Sequence, residues 1–140
     1  MVPMLYRVLH TTLSVAAAIV FVVSGTSVAA TTHDTAKAFF QEHVSSAVIH
    51  SKCITCHTTG GIAGATPLTY AASTEAGHIQ TNYELLCDYV ATDPTRATTI
   101  LEKARGEGHT GGTVLETTEA AYQDLSTFLG LLIAELTPQT

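Results

Sequence analysis

Cys53-Ile54-Thr55-Cys56-His57 constrains this chain more than any other stretch. Cysteines at i and i+3 share one face of a helical turn, and a histidine follows at once. This is the C-x-x-C-H spacing at which two thiols add across the vinyl groups of a haem while the histidine reaches the iron. Competing uses of the pair demand features the chain lacks. A thioredoxin-type redox site sits near a βαβ pattern, and none is visible. A zinc site needs a full tetrahedral ligand set, and no second C-x-x-C or H-x₃-H pair is present. Cys87 would complete a Cys₃His set, but nothing in its spacing supports one. A Cys53–Cys56 disulfide would leave His57 without a role.

The start of the chain reads as an export signal. Arg7 is the one charged side chain before Asp34, and an apolar run, Leu13 to Val23, lies between them. Small residues ending in Val28-Ala29-Ala30 follow, which is an A-x-A-like cleavage site. The run is shorter than the roughly 20 apolar residues of a membrane span. Residues 1–30 therefore read as a signal peptide and 31–140 as one haem-binding domain with no stable membrane span after cleavage. The expected location is periplasmic or extracellular. A net charge of −6 argues against a nucleic-acid partner. It points to a partner with a basic docking surface.

The mature domain is small for a core of its own, so a buried haem would serve as an apolar body for helices to wrap. Four helical segments are predicted. The first starts at Asp34 as N-cap and runs toward Lys52, with Phe40, Val44, Ala47 and Val48 as its buried stripe. A glycine-rich loop follows His57 and ends at Pro67. The second helix carries a T-x-x-E capping box, Thr81 and Glu84, and a stripe of Tyr83, Leu86, Cys87 and Val90. The third begins at Asp93-Pro94, carries Ala97, Ile100, Leu101 and Ala104, and ends at Gly106. The fourth starts near Thr117 or Thr118, with Tyr122, Leu125, Leu129, Leu132 and Leu136 inward and Phe128 adjacent.

Helix, C-x-x-C-H, loop, two short helices, a ligand-bearing loop and a final helix form an order that resembles the small single-haem cytochrome c family. The match is strict at Cys53, Cys56 and His57. The run from Lys103 to Gly112 is also similar to the glycine-rich histidine loop of some bacterial c-type haem domains. The resemblance implies an all-α, cytochrome c-like fold of about four helices around one covalent haem c. In that family the first and last helices cross and close the haem crevice. It also implies attachment outside the bacterial inner membrane, which agrees with the export signal.

The family's distal methionine is missing. The chain's methionines are Met1 and Met4, both within the signal peptide. His109 stands in the loop where the family carries that ligand, among glycines that let backbone approach a flat cofactor. It is the expected distal ligand, with His78 or an open site as alternatives. His43 and His50 read as solvated positions on the first helix, and His33 lies near the new N-terminus. Lys103 and Arg105 flank the His109 loop and are candidates to pair with haem propionates. Cys87 reads as a small buried hydrophobe, with an intermolecular disulfide as its other use.

An iron held by two histidines leaves no position for a substrate. The expected function is thus electron transfer between redox proteins of a respiratory chain, without enzymatic chemistry. The alternatives are a haem enzyme or gas sensor with an open distal site, or a haem subunit of a larger extracellular electron-conducting assembly. In such an assembly Cys87 or a spare histidine would join chains. Mass spectrometry of the exported protein is expected to show one haem added and the first 30 residues removed. A haem released by acid-acetone would contradict covalent attachment.

Overall fold

The computed structural model describes residues 32–137, with side chains from Thr35 onward, so the expected signal peptide lies outside the described residues. Among these residues every regular element is helical, as the apolar periodicities predict. Helix α1 (Thr32–Phe39) continues without a break into a π-helical segment (Phe40–Cys53). Helices α2 (His78–Thr92), α3 (Thr95–Ala104) and α4 (Ala120–Leu136) follow. The π segment and α1 pack chiefly on α4, and α2 and α3 close the remaining sides.

The centre of the core is aromatic. Phe40 and Phe128 are fully buried, with ring centres 5.2 Å apart, and Tyr83 lies 5.8 Å from Phe40. Tilted rings at such separations place edges against faces, the arrangement their quadrupoles favour. Phe128 is therefore a central residue and not merely adjacent to the stripe. A backbone bond from Ala36 to Glu135 Oε1, 3.0 Å long, fixes α1 to the far end of α4.

The π winding corrects the expected stripe of the first helix. Its hydrogen bonds run i→i+5, ending with Ile54 N–H on the Ile49 carbonyl at 2.9 Å. Each turn then takes up more residues than the 3.6 of an α-helix. The buried positions are Phe40, Val44, Ser45, Val48 and Ile49, while Ala47 is exposed. Wider winding thus exchanges Ala47 for the larger Ile49 in the core, worth about 1.5–3 kcal/mol for a fully buried aliphatic chain. It also brings Cys53 to the inward side one turn later.

Three helix starts differ from expectation. Asp34 lies inside α1 instead of capping it. Helix α2 begins a turn earlier than Thr81, after Gly77 in the left-handed region, so Thr81 and Glu84 form no capping box and Glu84 accepts from Gln80 instead. Helix α4 starts at Ala120, after the predicted threonines. The start of α3 is as predicted in chemistry. Asp93 Oδ1 accepts from Thr95 N–H at 3.0 Å and from its hydroxyl at 2.8 Å. Those bonds hold the Asp93 carboxyl below its usual range.

The winding makes a distinction that substitution can read. Ser45→Lys is expected to destabilise the fold by about 3 kcal/mol or more, because it buries an unpaired charge. Ala47→Lys should stay within about 0.5 kcal/mol of the parent. Denaturant titration of both variants checks this, and the opposite order would restore the α-helical stripe.

Candidate functional site

The π segment delivers Cys53 to one wall of a cleft of 770 Å³. After Ile54 the chain tightens into a turn, with His57 N–H on the Cys53 carbonyl at 3.0 Å. Cys53, Cys56 and His57 all line the cleft, and both cysteines are free thiols. Burial pushes the Cys53 thiol up to about 11. At neutral pH it is therefore protonated, unlike the activated thiolate of a disulfide-exchange site.

The loop after the motif holds the His57 ring. Its Nδ1 lies 2.8 Å from the Leu68 carbonyl and 3.3 Å from Thr66 Oγ1. Donation from Nδ1 to the carbonyl leaves Nε2 as the free acceptor nitrogen. The segment after Leu68 is held at two points. Tyr70 N–H donates to the His57 carbonyl at 2.7 Å. Next to it, Asn82 of α2 clamps Ala71, accepting its N–H at 2.7 Å and donating to its carbonyl at 3.0 Å. Asn82 is fully buried with both amide groups used.

The facing wall comes from α3 and the loop after it. Val114 and Leu115 N–H groups both reach back to the Ala104 carbonyl at 2.9 Å, which closes the loop on the end of its own helix. Gly106 has φ 96°, and a Cβ there would lie 2.8 Å from Thr113 Oγ1, so the closure needs glycine. Lys103 Nζ donates to the Gly108 carbonyl at 2.6 Å. His109 lines the cleft, and its Nδ1 is 3.1 Å from the Gly112 carbonyl. Gly111 packs on the ring, where a Cβ would stand 3.0 Å from Cε1.

His57 and His109 thus converge with the same chemistry. Each has Nδ1 at a backbone carbonyl and Nε2 free, and their ring centres are 6.1 Å apart with planes 24° from parallel. Two imidazole–metal bonds of about 2 Å each, plus the half-width of each ring, span about this distance. That separation leaves room for one metal between the two rings, beside two thiols in an apolar cleft, although among the described residues no group of three or more histidine, cysteine or carboxylate side chains is gathered to hold a metal ion.

Other candidate residues fall elsewhere. Arg105 does not line the cleft; its Nε pairs with Glu107 Oε1 at 2.8 Å, and Tyr122 also contacts it. The cleft's cations are Lys103 and Lys52, the second missed in the sequence. His78 lies outside the cleft beside His50, with ring centres 4.9 Å apart. His43 sits at the surface near Glu42, as expected of a solvated position. Cys87 is half-buried on another face and hydrogen-bonded to Tyr83. Nothing in the chain's periodicity marks Asn82, since a polar residue beside a stripe reads as solvent-facing.

Asn82→Ala should lower the unfolding free energy by about 2–4 kcal/mol, because two buried backbone groups of Ala71 lose their partners. Denaturant titration reads the loss, and a change below about 0.5 kcal/mol would mean that the clamp contributes nothing.

No family model matches the chain, and no curated protein or solved structure matches it either.

Proposed function

We propose that this protein is an electron carrier with one haem c bound through Cys53 and Cys56, folded as a cytochrome c-like domain. The observation that carries the reading is the opposed pair His57 and His109, each with its Nδ1 at a carbonyl. When bound, the haem supplies reversible one-electron chemistry at iron.

The chain's residues then divide the work. The Cys53 and Cys56 thiols would hold the haem through thioether bonds to its vinyl groups. His57 and His109 would hold the iron through Nε2. With both histidines bound, the group would supply outer-sphere electron transfer and no substrate site. The apolar wall, including Val48, Ile49 and Leu125, excludes water from the cleft floor. Lys52 and Lys103 line the cleft, but Lys52 Nζ lies 3.7 Å from Glu119 Oε2 and Lys103 Nζ donates to the Gly108 carbonyl, so neither stands free for a carboxylate substituent. The partners proposed are other redox proteins. Among the described residues no helix is long and apolar enough to cross a membrane.

The decisive test is optical. The parent protein should be low-spin, insensitive to carbon monoxide, and free of the near-infrared sulfur-to-iron band. His109→Ala should give high-spin iron that binds carbon monoxide, while His78→Ala should leave the spectrum unchanged. A His109→Ala protein still low-spin at the parent potential would assign the distal position to another group.

A further inference from the structure

His50 and His78 meet outside the cleft, one from the π segment and one from the first turn of α2. Their ring centres are 4.9 Å apart and their planes nearly perpendicular, at 88°. His50 Nε2 is buried with no hydrogen-bond partner. A buried polar nitrogen left unpaired costs about 1–3 kcal/mol, and such atoms commonly mark a missing ion or water. His78 Nδ1 lies 3.0 Å from the Glu75 carbonyl, which leaves its Nε2 as the acceptor. Burial, and then the neighbouring His78, lower the His50 pKa, so the ring is neutral and able to ligate at neutral pH.

We propose that His50 and His78 form a second metal site, for a borderline divalent transition ion such as zinc. Imidazole nitrogen is a preferred donor for that class. Among the described residues no third histidine, cysteine or carboxylate joins the pair. Water completes the coordination, and the site is one of exchangeable binding. Its two ligands come from separate elements, so a bound ion would tie the π segment to α2 close to the attachment motif.

Zinc titration of the exported protein by calorimetry tests the site. One ion should bind per chain. His78→Ala and His50→Gln should each weaken it by roughly tenfold or more, with far-UV circular dichroism unchanged. His43→Ala should leave zinc affinity at the parental value. Absence of binding, parental affinity in either histidine variant, or binding lost in His43→Ala instead would overturn the proposal. Because His78 lies at the start of α2 and is partly exposed, its variant keeps the test valid if His50→Gln fails to fold.

Discussion

The contact between Phe40 and Phe128 is the constraint on which the rest of the structure depends. It joins the first residue of the π segment to the middle of α4 at full burial, and Tyr83 adds α2 to the same cluster. Removing either phenylalanine would open a cavity at the junction of three elements, a loss of about 3–5 kcal/mol. That junction fixes the line along which the π segment runs. Cys53, thirteen residues after Phe40, reaches the cleft because the wide winding keeps its column facing inward. An α-helix from the same anchor would bring a different column to the core and turn the motif aside.

The two cleft histidines are oriented by different means. His109 is held locally, by a carbonyl three residues on and a glycine against its ring. His57 is held over a longer path, from the Leu68 carbonyl through Ala71 to Asn82 on α2. Local restraint depends on turn geometry and survives loosening of the core. The longer path depends on α2 being docked, so the orientation of His57 is coupled to the same aromatic cluster that sets the fold. A histidine pair built this way reaches its mutual orientation only when the helices are packed.

The sequence made the helical class and most inward residues of α2, α3 and α4 readable, because Leu86, Val90, Ala97, Leu125 and Leu129 recur at the α-helical period. The first helix was misread where its period changes. Ala47 satisfies an α-helical stripe, and no side chain announces i→i+5 bonding, which arises from the backbone and the packing together. His109 could be singled out because the absence of methionine beyond Met4 narrows the choice and glycines surround it. Arg105 could not be placed, since a loop cation reads the same whether it faces a cleft or, as here, Glu107. Asn82 and Lys52 were missed for a related reason. Their roles lie in contacts eleven residues away or across the cleft, which local pattern does not encode.

For a haem held here, opposing influences would set the midpoint potential. Imidazole in place of thioether withdraws the preference of sulfur for reduced iron and lowers the potential. An apolar cleft acts the other way, because burial disfavours the extra positive charge of the oxidised centre. Lys103 would act with the cleft, since a nearby cation also disfavours oxidation, while Lys52 is offset by Glu119 at 3.7 Å. The excess of acidic residues over the rest of the chain opposes them. Charges beyond a screening length of about 8 Å count for little at physiological salt. For such a haem the ligand change would lower the potential from a methionine-ligated reference, and the apolar cleft would limit how far it falls.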